Sequence, residues 1–324
     1  MRILSAIVAA TVVAVCNVAF SQTNWNFASA YQDNNFHTRN IAMFARDVEN
    51  LSGGALTITL HTNASLLKMP EIKRGIQTGQ VQVGEILLSA YGAENPFFEV
   101  DCIPFLSQGH MTAWQVYELT LPFIAVRLDE QGLMPLYAVP WPGQGLYAQK
   151  PISSTKDYKG VKFRAYNALT ARFAELMGAI PTTVQSAEVP QAFATGVVSA
   201  MITSAATGND TKAWDFASHY YDVNAMNNKN MVIVNKAAFE ALDSNTQKAV
   251  LAAAAKAEAR GWVMSNAVQE GLTRNLAANG MTVERPNPDL LAELKEIGET
   301  MVGEWKAKAG DAGQAFLDAY NALK

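Results

Sequence analysis

An α/β fold in two parts is predicted for this chain, and three observations predict it. Short β-rich runs alternate with helical ones, as in folds built around mainly parallel strands. The alternation restarts at Met134, about midway along the β-rich stretch. One alanine-rich run, 244–279, is longer than an ordinary domain needs, roughly 50 Å at 1.5 Å per residue.

Taken in order, residues 1–21 read as a secretory leader: Arg2, an apolar stretch from Ile3 to Val15, and "AFS" before Gln22 as a small-residue cleavage site. The apolar stretch holds about 13 residues, short of the roughly 20 that span a bilayer. "VAVC" lacks the small residue that precedes a lipidated cysteine, so Cys16 is not read as a lipid anchor. A periplasmic location follows. "NWNFASA" reads as a strand, 35–51 as an amphipathic helix, "SGG" at 52–54 as a turn, and "ALTITLH" as a second strand. "EIKRGIQTG" is a helix ending at Gly79, "VQVGEILLS" a strand, and "MTAWQVYELTLPFIAVRLDEQG" a longer helix. After the restart come "MPLYAVP", "QGLYAQKPI", a strand and helix around Arg164, the "AEVPQAFATG" helix, and "VVSAMITS". Ser244 is the expected cap of the long run and Asn245 its first residue, with Gly261 as either a weak point of a surface helix or a position in a strut shared by two parts. "MTVERP" reads as a short strand, and an amphipathic helix runs from Pro288.

Composition excludes several classes. There are 25 basic and 29 acidic residues with no basic block, which argues against nucleic acid and anionic membranes as partners. Once the leader is removed only Cys102 remains, so stability must come from a core rather than a disulfide. No G-x-S-x-G elbow, P-loop or dinucleotide glycine fingerprint occurs, and the four histidines have no zinc-ligand spacing. Neither an enzyme nor a bound metal or cofactor is expected.

In "GVKFRAYNALTARFAELMG", Val161, Phe163 and Ala165 alternate with polar residues, and helical spacing takes over at Ala168. Arg164 therefore sits at the end of a strand beside a helix N-terminus, a place suited to holding an anion. The flanking "KPISSTKDYKGVKFRAYN" and "GAIPTTVQSAEVPQAFATGVVSAM" resemble the substrate-binding proteins of TRAP transporters, and the resemblance covers essentially the whole mature chain.

That resemblance implies a two-lobed periplasmic binding protein fold with a long helix spanning both lobes. Lobe I is expected at 22–145 with 231–262, and lobe II at 146–230 with 263–324. It also implies delivery of a small organic acid to integral-membrane permease subunits; a monomer is the default expectation, and a sensing role would share the same features. Arg164 matches the family's carboxylate-pairing arginine and Asn167 a nearby asparagine. Gln144 stands where sialate-binding members place a further arginine, and Thr203 where a ligand-contacting asparagine is frequent. One cation suggests one carboxylate, since a second would lie buried without a partner. A 2-oxo, 2-hydroxy, cyclic or aromatic monocarboxylate fits; a C4-dicarboxylate or sugar acid is the alternative, and a secreted hydrolase a more distant one.

Tyr31, Phe36, Trp141, Tyr147 and Trp214 lie near strand ends, where ligands of open α/β sheets bind, although each also reads as core. Glu85 is placed to accept hydrogen bonds from a ligand or to pair with a neighbouring base. Asn35 and His37 either donate to the ligand or cap and solvate the first helix.

Overall fold

The computed structural model describes residues 22–323, so the leader expected at 1–21 lies outside the described residues. From its start the chain forms β1 (Thr23–Ala28), α1 (Phe36–Leu51), β2 (Leu56–His61), α2 (Met69–Gln77), β3 (Val83–Leu87), α3 (His110–Asp129) and β4 (Leu133–Pro140). It then enters β5 (Gln144–Ala148), β6 (Lys162–Ala165), α4 (Ala168–Leu176), β7 (Ile180–Thr183), α5 (Val189–Ala194), β8 (Ala200–Ser204), α6 (Ala205–Asp210) and β9 (His219–Tyr221). The last segments are β10 (Lys229–Asn235), α7 (Lys236–Glu240), α8 (Ser244–Ala278), β11 (Thr282–Glu284) and α9 (Pro288–Asn321).

Two sheets result, ordered β2-β1-β3-β10-β4 and β11-β9-β5-β8-β6-β7. Both are mixed rather than mainly parallel. β1 pairs in parallel with β2 and β3, but β10 runs antiparallel between β3 and β4. In the second sheet β6 pairs in parallel with β7 and β8, and β5 runs antiparallel between β8 and β9. The antiparallel members arise because the chain twice crosses from one sheet to the other. β4 leads into β5 through Trp141–Gly143, and β9 returns to β10 through residues 222–228. These two crossings are zipped together: Trp141 N donates to Asn228 O (2.8 Å), Gln144 N to Met226 O (3.1 Å) and Ala225 N to Gln144 O (2.9 Å).

Helix α8 is the third crossing. It packs on α1 and β4 of the first part and on α6 and β11 of the second, so it is a strut and not a surface helix. Asp243 caps it, one residue before Ser244, its Oδ1 accepting from Asn245 N and Thr246 N. Gly261 is buried within it at a close approach: a Cβ there would collide with the Val139 side chain and lie 2.7 Å from Asn40 Nδ2. Helix α9, bent at Gly310 (φ 59°), also serves both parts. Its Glu293 accepts from Thr155 N (2.6 Å) in the second part, while Trp305 Nε1 and Tyr320 Oη donate to Pro96 O and Leu106 O in the first.

The apolar face of each sheet is covered. Trp25, Phe27, Phe44, Phe163 and Phe173 belong to one extended core, and Tyr147, Val189, Phe193 and Tyr220 to a smaller one. Cys102 is a free, buried thiol whose Sγ accepts from Asn167 Nδ2 (3.3 Å), so it is buried as expected but among polar groups rather than apolar ones.

Candidate ligand-binding site

The carboxyl ends of the parallel strands in the two sheets converge on one cavity of about 530 Å³. Tyr31 follows β1, Asn63 and Ala64 follow β2, and Leu87 ends β3; from the other sheet come Tyr166 after β6, Gln185 to Glu188 after β7, and Thr203 and Thr207 around the end of β8. The zipped crossing contributes Trp141, Gln144 and Asn228. Ligands of open α/β sheets occupy this kind of crevice because strand ends leave loops free to shape it.

Arg164 is its centre of charge. The side chain is 3% exposed, Nε donates to Val184 O (2.9 Å), and the guanidinium lies 5.2 Å from the Tyr166 ring centroid. Nη1 is buried with no hydrogen-bond partner, and among the described residues Arg164 forms no salt bridge. Burial draws its pKa down to about 10, opposed by the nearby Tyr166 and Tyr31, so it stays a cation at neutral pH. The Nε bond fixes the plane and leaves the forked end to meet a carboxylate.

The first turn of α4 has its own partners. Asn167 Oδ1 accepts from Thr170 N (2.8 Å), while Thr170 Oγ1 accepts from Tyr166 N and Asn167 N. The Thr170 amide of this helix end is thus already taken within the protein. Asn167 also reaches across the cleft, donating through Nδ2 to Ser89 Oγ (2.8 Å) after β3. It ties the two parts together beside the cavity.

Tyr31, Trp141, Gln144, Arg164 and Thr203 line the cavity; Phe36, Glu85, Tyr147, Asn167 and Trp214 stand outside that lining. Glu85, 1% exposed, works from behind the wall. It accepts from Ser29 Oγ (3.0 Å) and Asn230 Nδ2 (2.9 Å), and His37 Nδ1 is 3.3 Å away. Asn230 Oδ1 in turn accepts from Trp141 Nε1 (2.9 Å) and Tyr31 Oη (3.4 Å), so Glu85 orients the carboxamide that holds both rings. Burial lifts the Glu85 pKa to about 7 against the Asn230 and Ser29 hydrogen bonds, and lowers that of His37 to about 3. His37 is neutral, so its 3.3 Å approach to Glu85 is not an ion pair. Phe36 packs edge-on against Trp141 at 5.6 Å, and Asn35 caps α1 while donating to Asp210 (2.6 Å) from the second part. Tyr147 donates to Ser204 O (3.1 Å) within the smaller core, which Trp214 flanks.

Sequence reading did not single out Lys68, Tyr166, Gln185, Glu188 and Asn228. Lys68 and Glu188 are exposed at the mouth on opposite sides. Among the described residues no group of three or more His, Cys, Asp or Glu is placed to hold a metal ion. Burial pushes the Cys102 thiol up to about 12, which leaves it protonated.

A buried, unpaired cation at an interlobe crevice is the geometry of an anion receptor. The model of a family described as bacterial extracellular solute-binding protein, family 7 (DctP), matches residues 27–308. The chain belongs to that family. Two Bordetella pertussis members of known structure, the extracytoplasmic solute receptors DctP6 and DctP7, bind pyroglutamic acid. DctP6 is 46% identical, with a TM-score of 0.91 over 93% of this chain and 100% of its own. DctP7 is 49% identical, with a TM-score of 0.91 over 92% and 99%. A TRAP solute-binding protein from an unidentified marine microbe, specific for pyroglutamate, is 40% identical with a TM-score of 0.91 over 93% and 100%. A solute-binding protein of Albidiferax ferrireducens is 27% identical over 176 residues, 53% of this chain. The chain spans about half, 52%, of that relative's length. The two-lobed α/β fold with a long helix is thus that of family 7 solute-binding proteins, and among the described residues no helix is long and apolar enough to cross a membrane.

Proposed function

We propose that this chain is the extracytoplasmic receptor of a TRAP-type uptake system, taking a small cyclic monocarboxylate, pyroglutamate foremost, for delivery to integral-membrane permease subunits. The observation that carries this reading is the Arg164 guanidinium, 3% exposed with Nη1 unpaired in the cavity wall. A buried cation without a counter-ion is costly in the empty protein, and a ligand carboxylate relieves that cost. The remaining wall is largely apolar or aromatic, with Trp141, Tyr31, Leu87 and Met69, which suits a compact ring. Relatives at 40–49% identity whose structures bind pyroglutamate support the choice. Arg164 orients the carboxylate, Gln144 and Thr203 supply polar contacts, and closure of the two parts on the ligand stabilises the closed state through contacts with both. No chemistry on the ligand is involved.

A thermal-shift series on ligand-stripped mature protein tests this, comparing pyroglutamate, cyclopentanecarboxylate, a 2-oxo acid, a C4-dicarboxylate and sialate. A ligand at a hundred times its Kd stabilises by about 2.7 kcal/mol, enough to raise the melting temperature visibly. Cyclic monocarboxylates are expected to give the largest shift. A larger shift with the dicarboxylate would make Lys68 at the mouth a second anion partner and overturn the one-carboxylate reading.

A further inference from the structure

Four consecutive buried polar residues, Asn227 to Asn230, run past the cavity, and three are fully engaged within the protein. Asn227 accepts from Gly109 N (2.8 Å) through Oδ1 and donates to Trp141 O (3.2 Å) through Nδ2. Lys229 Nζ pairs with Asp101 at 2.7 Å. Asn230 joins Glu85 to Trp141 and Tyr31.

Asn228 is the exception. It is 2% exposed and lines the cavity, its main-chain carbonyl is fixed by Trp141 N, and its Oδ1 is buried without a partner. Among the described residues lining the cavity, Asn228 and Arg164 alone hold such a buried, unpaired side-chain atom. Gln144 differs: its Nε2 already donates one N–H to Pro142 O (2.9 Å), and none of its side-chain atoms is both buried and unpaired.

A carboxamide presents an acceptor and a donor side by side. A lactam ring, whose amide is held cis, presents a donor and an acceptor along one edge with the same spacing. We infer that Asn228 reads the ring amide of a lactam carboxylate, its Oδ1 accepting from the ring N–H and its Nδ2 donating to the ring carbonyl, while Arg164 holds the carboxylate. This rests on the proposed function and assigns the group that separates lactam acids from other cyclic acids. A site built to hydrogen-bond an N–H rejects an analogue lacking it, because its own buried polar atom is then left unpaired.

The test is titration calorimetry of the ligand-stripped protein with three five-membered-ring acids. These are pyroglutamate, the lactone 5-oxotetrahydrofuran-2-carboxylate, which lacks the N–H, and cyclopentanecarboxylate, which lacks the whole amide. Wild-type protein is expected to favour pyroglutamate over cyclopentanecarboxylate by about tenfold or more, with the lactone between them. In Asn228→Leu that preference should collapse to within about threefold, with pyroglutamate weakened and cyclopentanecarboxylate binding at least as tightly as in wild type, because the polar atom it would leave unpaired is gone. Equal affinity of wild type for the three acids overturns the inference without touching the carboxylate site. So does a preference that survives Asn228→Leu, or an equal weakening of all three acids in that variant. If wild type binds none of them, the proposed function itself fails, and this inference with it.

Discussion

At the scale of single residues, Arg164 and Glu85 are two buried ionisable groups with opposite assignments: one left unpaired toward the cavity, the other enclosed by protein donors. Arg164 was legible in the sequence because a two-residue period gives way to a helical one just after it. Asn228 was not, because the 222–228 crossing has no periodicity and its asparagine is distinguished only by what its neighbours already hold. Glu85 and His37 make a pH prediction. Burial raises Glu85 from 4.5 to about 7 and lowers His37 from 6.5 to about 3. Between these limits the unfolded chain loses the Glu85 proton that the folded protein keeps, so that group's contribution falls as pH rises. The unfolded chain also gains a proton on His37 that the folded protein refuses, so that contribution falls as pH drops through 6.5. In wild type the two oppose each other. Glu85→Gln leaves only the second, and its melting temperature is expected to fall more steeply than wild type's from pH 6.5 to 4.5; parallel melting curves would show that Glu85 does not take up its proton there.

At the scale of elements, most helices and strands were legible from period and end signals, β4 and β5 among them, whereas the short β7, β9, α6 and α7 and the strand β10 were not. β10 reads "KNMVIVN", a short apolar run bounded by polar residues, and its place between β3 and β4 depends on the return crossing and not on local pattern. Helix α8 was legible in length, but Gly261 was ambiguous until its neighbours were known. The strut can lie against β4 only because position 261 has no side chain. Gly261→Val should therefore destabilise by about 1–3 kcal/mol through overpacking, measured by chemical denaturation. A stability within error of wild type would mean that α8 has room to shift and does not set the spacing of the two parts.

At the scale of the whole molecule, two zipped strands and one helix join two sheets, and the cavity sits where their strand ends meet. Hydrogen bonds from Asn167 to Ser89 and from Asn35 to Asp210 link the two parts across the cleft, the arrangement expected of a closed receptor. Two parts and a long helix were legible from the restart of the pattern and the alanine-rich run. The sharing of α9 was not, because Trp305 and Tyr320 find their partners at Pro96 and Leu106, some 200 residues earlier in the chain.

The central claim is that the unpaired guanidinium of Arg164 is kept for a ligand carboxylate, at a cost to the empty protein. Calorimetric titration of pyroglutamate into ligand-stripped wild type and Arg164→Met, with melting curves of both in the empty state, tests it most directly. Binding is expected to weaken by about 2–5 kcal/mol in the variant, and the empty variant to melt no lower than wild type, because an apolar side chain replaces a desolvated charge. Unchanged affinity in Arg164→Met would contradict it.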